Sequence, residues 1–237
     1  MALILCLETA TEVCSVALSD NSVILSSEKS SEPNVHSSLL TVFIGRMMER
    51  AGFSLSDLDA VAVSKGPGSY TGIRIGVSVA KGLCYSLDKP LIAVPTLEAL
   101  AHGMKSLLPP SGSSPALPVL LCPMIDARRM EVYTALFDSR LNLLRETEAR
   151  ILEADSYNAE LYGNKVWFAG SGASKCKALF GDHPNAVFPD VFTAAAEYLV
   201  PLAEERFAKR LFENIAYFEP FYLKDFVAGK PRVKGLH

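Results

Sequence analysis

The same order of predicted elements occurs twice along the chain, and this repetition constrains the fold most strongly. The chain begins with three short apolar or alternating runs, which predict antiparallel strands at residues 2–7, 13–18 and 22–29. A helix is predicted at His36–Ala51, where apolar residues recur every three or four positions. The first half then continues with a strand at 60–64, a glycine-rich helix at about 71–86, a strand at 91–94 and a helix at Thr96–Leu107.

The second half repeats this order. Its predicted elements are strands at 119–125, 130–137 and 141–151, a helix at 153–162, a strand at 166–169, a helix after Gly-Ser-Gly-Ala-Ser-Lys and a longer helix at 193–213. Three antiparallel strands followed by helix, strand and helix is the order of an actin-like or sugar-kinase lobe. We therefore predict an α/β, actin-like (ASKHA) fold of two duplicated lobes, each a mixed sheet of antiparallel and parallel strands with helices.

The predicted boundary between the lobes is a stretch rich in proline. Residues 107–118 contain four prolines among small polar residues, where neither helix nor strand persists. We predict an N-terminal lobe at 1–106 and a C-terminal lobe at 107–237. In that scheme the tail at 214–237 packs back on the N-terminal lobe.

Composition and charge exclude several classes of function. The net charge of −3 gives no basic surface for gripping a nucleic-acid backbone unaided. The five cysteines are odd in number and lack C-x-x-C spacing, so neither a disulfide framework nor a zinc site is predicted. The apolar start lacks a basic region and is interrupted by Glu8 and Glu12, unlike a signal peptide. We expect a cytoplasmic protein without a membrane span.

The segment Ser64–Gly76, with the sequence SKGPGSYTGIRIG, lies between a predicted strand and a helix. Such a junction favours anion binding, because free N–H groups and the helix dipole meet there. The segment nevertheless matches neither G-x-x-x-x-G-K-[ST] nor G-x-G-x-x-G. Pro67 stands where a nucleophile elbow needs glycine, so we interpret Ser69 as a helix cap.

Small residues recur on the helix that follows. Gly72, Gly76 and Ala80 are four residues apart, and a stripe without side chains lets another backbone approach closely. Two interpretations remain open: packing against the 36–51 helix, or docking of another subunit. The docking hypothesis predicts a partner interface at Leu39, Phe43, Ile44, Met47, Gly68, Thr71, Gly72, Arg74, Gly76 and Ala80. Within it, Arg74 either reaches a partner carboxylate or stays solvated or locally paired.

Three stretches together resemble the TsaB (YeaZ) family: GPGSYTGIRIG, LETATEVCSVAL and the tail EPFYLKD. The resemblance implies a role in making threonylcarbamoyladenosine next to the anticodon of tRNA. It implies a non-catalytic partner and activator of the catalytic subunit TsaD, bound through the N-lobe helices, with the ATPase TsaE joining the pair. It also implies tRNA contact only through the complex, a homodimer when alone, and no cofactor of its own, with ATP or ADP at the junction with TsaD.

The chain departs from the catalytic relatives at two ligand positions. TsaD carries H-M-E-G-H on the helix after the last strand of the lobe, whereas this chain reads Thr96-Leu97-Glu98-Ala99-Leu100 and lacks both histidines. Actin-like ATPases have D-x-G-[TS] in their first hairpin, whereas this chain reads Glu8-Thr9-Ala10-Thr11. We therefore expect no catalytic residue and no metal site. The sequence AGSGAS at 169–174 is interpreted as a helix entry rather than a nucleotide contact.

Two other functions remain as alternatives to the role that the resemblance implies. One is an ATP-dependent kinase or metallopeptidase of the same superfold, which needs the two ligand sets that are missing. The other is an RNA-binding tail built on Lys224, Lys230, Arg232 and Lys234, although charges at a terminus are more often solvated.

Overall fold

The protein, seen in a computed structural model, is described over residues 2–32, 36–109, 117–190 and 192–224. The strands are β1 (Leu3–Glu8), β2 (Cys14–Asp20), β3 (Val23–Ser30), β4 (Ala60–Ser64), β5 (Leu91–Val94), β6 (Val119–Asp126), β7 (Glu131–Asp138), β8 (Leu143–Ile151), β9 (Lys165–Ala169) and β10 (Ala186–Val187). The α-helices are α1 (His36–Ala51), α2 (Tyr70–Leu87), α3 (Thr96–Lys105), α4 (Asn158–Gly163), α5 (Ala173–Phe180) and α6 (Val200–Ala208), and short 3-10 turns lie at Leu55–Asp57 and Ala196–Leu199.

The two sheets have the same topology. The first has the strand order β3-β2-β1-β4-β5, and the second has the equivalent order β8-β7-β6-β9-β10. In each sheet the first three strands pair antiparallel, while the fourth and fifth join in parallel. This arrangement confirms the predicted α/β, actin-like fold with a duplicated mixed sheet.

Helices cover both faces of the first sheet. All six residues of β1 are buried, which explains why its sequence is continuously apolar before Glu8. Side chains alternate along the strand, so Leu5 and Leu7 pack on one face with α1 and α2. Ile4 and Cys6 point to the other face, where they pack with α6 and the turn at Ala196–Leu199. Strands β1 and β4 are parallel neighbours, so their C-terminal ends lie together at the edge of the sheet from which the chain continues into α2.

The two halves of the chain exchange helices. Helix α3 belongs to the first half, yet Leu97, Leu100 and Met104 pack with Leu121 and Phe137 of the second sheet. Helix α6 belongs to the second half and covers the first sheet. The predicted division between residues 106 and 107 stays a prediction, and residues 110–116 of the predicted linker lie outside the described residues.

Some predicted elements differ in extent. The helix predicted at 153–162 begins only at Asn158, and the one predicted at 193–213 is a 3-10 turn followed by α6, which ends at Ala208. Pro201 lies in the first turn of α6, a position that proline tolerates at a helix start. Beyond its end, Arg210 has a φ of 54°, a left-handed conformation that a helix cannot continue through. Strand β10 has only two residues, too few for any periodicity to predict it.

The described part of the C-terminal tail lies along the first lobe. Glu213 forms an isolated bridge with Leu91 at the end of the first sheet. Phe218 is buried with the residues under α1 and α2. The tail beyond Lys224 lies outside the described residues.

Candidate functional site

The glycine-rich segment joins β4 to α2 and is built from local backbone requirements. Gly66 has a φ of 111°, and a Cβ there would lie 2.5 Å from the carbonyl oxygen of Phe221. The hydroxyl of Ser69 accepts a hydrogen bond from the Gly72 N–H at 3.3 Å. Ser69 is thus the N-cap of α2, which confirms its interpretation as a cap.

The glycine face of α2 is sealed against the chain's own β1–β2 connection, residues 9–13. A Cβ on Gly72 would lie 2.1 Å from the carbonyl oxygen of Thr9, and one on Gly76 would lie 2.2 Å from the Thr9 hydroxyl oxygen. Gly68 meets Ala10 in the same way, at 2.1 Å from its carbonyl oxygen. The hypothesis that these glycines form an open docking stripe is wrong, because the first hairpin already fills the space beside them. Helix α1 does pack with α2 in the same core, as the alternative predicted, but the atoms next to Gly72 and Gly76 belong to Thr9.

The ten predicted interface residues therefore divide by exposure. Six are buried inside the chain: Phe43, Ile44, Met47, Gly72, Gly76 and Ala80. Leu39 and Gly68 are half-buried, while Thr71 and Arg74 are exposed. Any partner contact through these helices must use their outer sides.

A groove lies on the outer side of α2, facing the start of α1. It has a volume of about 480 Å³ and is lined by Ser37, Tyr70, Thr71, Arg74, Ile75, Ser78 and Val79. The half-buried Ile75 and Val79 give it an apolar floor, and hydroxyls and Arg74 give it a polar rim. Arg74 donates a hydrogen bond to the Tyr70 hydroxyl at 2.9 Å, so it is locally paired. This shape suits a helix with an apolar stripe and a polar edge.

The end of β1 holds a buried carboxyl group. Glu8 is 1% exposed, and it accepts a hydrogen bond from the Ala10 N–H at 2.6 Å. Burial raises the pKa of Glu8 to about 7, and hydrogen bonds to its carboxylate oppose that shift. Ala10 is fully buried and its carbonyl oxygen accepts a hydrogen bond from Ser69. The first hairpin and the loop before α2 are thus in direct backbone contact, with no room for a Cβ at Gly68.

The start of α3 is also engaged structurally. The Thr96 hydroxyl accepts a hydrogen bond from the Gly66 N–H at 3.1 Å, and the Thr96 N–H donates to the Gly66 carbonyl at 3.0 Å. Glu98 pairs with Arg206 of α6 at 2.7 Å. Leu100 is buried against the second sheet. Thr96, Glu98 and Leu100, in the stretch that lacks the two histidines, therefore each have a structural contact within the chain.

Other candidate groups stand apart from one another. The described histidines are His36, His102 and His183, and His237 lies outside the described residues. A ring nitrogen of His36 lies 3.0 Å from the Thr11 carbonyl oxygen. Burial lowers the pKa of His102. Among the described residues no group of three His, Cys, Asp or Glu side chains is placed to hold a metal ion. No helix in those same ranges is long and apolar enough to cross a membrane.

The AGSGAS stretch enters α5 under packing constraints. Gly170 has a φ of 106°, and a Cβ there would lie 2.2 Å from the Met124 carbonyl oxygen. A Cβ on Gly172 would lie 2.8 Å from Val132. Both glycines are explained by close approach of β6 and β7, which fits their interpretation as a helix entry.

Comparison with known proteins places this geometry in a family. The chain is 32% identical to the Escherichia coli tRNA threonylcarbamoyladenosine biosynthesis protein TsaB over 233 residues, covering 96% of both chains. The chain belongs to the TsaB family. Residues 30–230 also match the model of the family described as TsaD, tRNA N6-adenosine threonylcarbamoyltransferase.

Two further comparisons agree with this assignment. The solved structure of YeaZ from Pseudomonas aeruginosa has a TM-score of 0.75 and 28% identity, covering 94% of this chain and all of that one. A tRNA N6-adenosine threonylcarbamoyltransferase from Clostridium perfringens is 43% identical over 63 residues, which is 27% of this chain and 19% of that enzyme. Likeness to TsaB and YeaZ thus spans nearly the whole chain, while the match to this one transferase covers a short stretch of it.

Sequence reasoning missed the residues that make the outer groove. The interface predicted from the glycine row omits Tyr70, Ile75, Ser78 and Val79, which line the groove. The signal was present in the spacing. Ile75 and Val79 are four residues apart on α2, beside the glycine row, and an apolar pair that widens the apolar face in this way indicates a second covered surface.

Proposed function

We propose that this chain is a non-catalytic partner and activator of a TsaD-like catalytic subunit in the threonylcarbamoyladenosine modification of tRNA next to the anticodon. The proposal follows the name carried by its relative over nearly the full length of both chains. In this role the chain supplies a binding surface, and the reacting groups belong to the partner.

The start of α3 is the observation that carries the non-catalytic part of the proposal. Thr96 and Leu100 stand where the resemblance places the two histidines of the catalytic relatives, Glu98 lies between them, and each of the three is already engaged within the chain. An aliphatic side chain is no metal ligand, and a lone carboxylate in an ion pair gives too few donors. The filled hairpin at Ala10 supports the same view of the phosphate position.

The docking surface in this proposal is the outer groove beside α2. Its apolar floor and polar rim fit one helix of the TsaD-like subunit, laid along α1 and α2. In the absence of that subunit, a second copy of this chain covers the same groove as a homodimer. Both occupants hide the same half-buried Ile75 and Val79 from water.

The remaining partners follow from the same proposal. A TsaE-like ATPase joins the pair, tRNA is held by the assembly rather than by this acidic chain alone, and the proteins work in the cytoplasm. The chain has no cofactor of its own, and ATP or ADP binds at the junction with the catalytic subunit. Of the proposed basic tail, Lys224 forms an ion pair with Glu131, and the other three basic residues lie outside the described ranges.

Reconstitution of tRNA modification tests the proposal. The TsaD-like subunit is assayed with and without this chain, and ATP hydrolysis and metal binding are measured on this chain alone. We expect modification only when both proteins are present, and neither ATP turnover nor metal binding by this chain in isolation. Peptide or ATP turnover by the isolated chain would instead favour a kinase or metallopeptidase, and full modification without the chain would contradict an activating role.

A further inference from the structure

The C-terminal segment, residues 213–224, runs along the first lobe and is fixed at successive points. The Glu213 N–H donates to the Leu91 carbonyl at 2.9 Å, and the Lys81 ammonium donates to the Phe218 carbonyl at 3.0 Å. The Phe221 N–H donates to the Lys65 carbonyl at 2.7 Å. The segment therefore follows α2 from its C-terminal half back to the loop before its first residue.

Near the end of this path, before Lys224 pairs with Glu131, Tyr222 lies against Tyr70 at the rim of the outer groove. The rings of Tyr222 and Tyr70 lie 5.0 Å apart at 37°, a contact distance for aromatic pairs. Tyr70 in turn accepts a hydrogen bond from Arg74, and the Arg74 guanidinium lies 5.2 Å from the centre of the Tyr70 ring. A continuous chain of contacts thus joins Tyr222, Tyr70 and Arg74.

The charged group held in place by the contacts of Tyr222 and Tyr70 is the guanidinium of Arg74. None of the ion pairs between described residues includes it, and its exposed guanidinium lines the groove. A guanidinium presents a rigid fork of donors that matches a carboxylate. The group that fits this position on a docked protein is therefore an acidic side chain.

We propose that Tyr222 is a positioning residue of the docking surface, because it holds Tyr70 and thereby orients Arg74 toward a carboxylate on the TsaD-like partner. This inference rests on the proposed function and adds a residue far from α2 in the sequence. The physical basis is preorganisation: a side chain already held in its bound geometry loses less conformational freedom on binding. Tyr222 acts through the position of Arg74 rather than by contacting the reaction.

Affinity measurements on the full chain test this role. Tyr222→Leu removes the ring, and we expect about a three- to tenfold weaker complex with the purified TsaD-like subunit, the range of one aromatic contact or one immobilised side chain. Tyr222→Phe keeps the ring and should restore wild-type affinity. Tyr217→Leu is the matched control, since Tyr217 lies on the same segment and is 83% exposed, and it should bind as wild type does.

A double-mutant cycle separates positioning from a general loss of structure. Arg74→Ala alone should weaken the complex by more than Tyr222→Leu, about ten- to a hundredfold for a hydrogen bond to a charged group. In the Arg74→Ala background, Tyr222→Leu should then have no further effect. Tyr70→Phe, which keeps the stacked ring and removes the acceptor for Arg74, is a second variant of the same contact and should weaken binding too.

Each result has a defined meaning. Wild-type affinity in Tyr222→Leu, or an equal loss in both Arg74 backgrounds, would overturn the positioning role while leaving the proposed function standing. A wild-type chain that does not bind the TsaD-like subunit would overturn the proposed function, and this inference with it. Melting temperatures of all variants show whether a loss of binding comes from a loss of fold. If Tyr222→Leu proves unfolded, binding by Tyr222→Phe, Tyr70→Phe and Arg74→Ala decides whether the positioning role holds.

Discussion

The two sides of α2 differ in the residues they carry and in what those residues contact. Its inner side carries Gly72 and Gly76, which press against the backbone and hydroxyl of Thr9. Its outer side carries the exposed Arg74 and Ser78, which line an open groove. One helix thus packs against the first hairpin on one side and presents an open groove on the other.

This difference shows what small residues on a helix mean in this fold. A row of glycines indicates that some backbone approaches closely, but it does not say which one. Here the neighbour is the chain's own first hairpin, so the glycines serve folding. The surface available to a partner is made instead by larger side chains on the opposite side.

The largest effect is expected on the inner side. A methyl group at Gly72 would lie 2.1 Å from the Thr9 carbonyl oxygen, which is backbone and cannot rotate away. We expect Gly72→Ala to destabilise the fold by about 3 kcal/mol, the upper end of the range for overpacking. Urea unfolding followed by circular dichroism measures it.

Gly82 of the same helix is the matched control. It is exposed, and a Cβ there meets nothing within 4 Å. Gly82→Ala should stabilise the protein by about 0.5 to 1 kcal/mol through the higher helix propensity of alanine. Equal stabilities for the two variants would contradict the sealed inner side.

The next largest effect is the pH dependence of stability that comes from Glu8, the buried carboxyl group at the end of β1. The pKa of Glu8 rises from 4.5 to about 7 on folding, so the folded state holds this proton more tightly than the unfolded state. The contribution is fully present below pH 4.5 and is lost as the pH rises through about 7. It amounts to about 2 to 3 kcal/mol over that window.

Glu8→Gln should remove this pH dependence. At pH 8 the variant should be more stable than wild type by about 2 to 3 kcal/mol, while at pH 5 the two should be close. Urea midpoints at several pH values provide the measurement, and Glu12→Gln, an exposed carboxyl of the same connection, is the control. An unchanged pH profile in Glu8→Gln would show that water reaches the inner side.

A smaller effect is expected at the helix cap. Ser69→Ala removes the oxygen that accepts from the Gly72 N–H, and caps of this kind contribute about 1 kcal/mol. Ser69→Asp should keep most of that stability because its carboxylate caps the same N–H. If Ser69→Ala proved neutral in thermal unfolding, water would be satisfying that N–H in place of the cap.

Much of the fold was predictable from the sequence, because periodicity determines the elements and their order. The short apolar run of β1 and the three- and four-residue spacing in α1 gave the correct element types, and the repeated order gave the two matched sheets. The exchange of α3 and α6 between the sheets was not predicted. The exchange depends on which sheet each apolar helix face packs against, and the amphipathic pattern of a helix does not identify that sheet.

The candidate site was predicted less well, for a related reason. The substitutions at Thr96, Leu100 and Ala10 were visible in the sequence as departures from the catalytic pattern, and the structure adds the contacts that each makes within the chain. The sequence did not show which side of α2 faces outward, because Gly72 allows close packing both against a partner and against the chain's own backbone. The contact of Tyr222 with Tyr70 joins residues far apart in sequence, and no local pattern encodes it.

A single substitution on the outer side tests the central claim most directly. Ser78→Arg places a large charged side chain in the groove, and Ser86→Arg places the same one two turns further along α2, outside it. Both should leave the free energy of unfolding within about 0.5 kcal/mol of wild type, as exposed substitutions do. We predict that Ser78→Arg weakens binding of the TsaD-like subunit at least about tenfold, a loss of about 1.4 kcal/mol, while Ser86→Arg binds normally. Normal binding by a folded Ser78→Arg protein would contradict the assignment of the outer side as the docking surface.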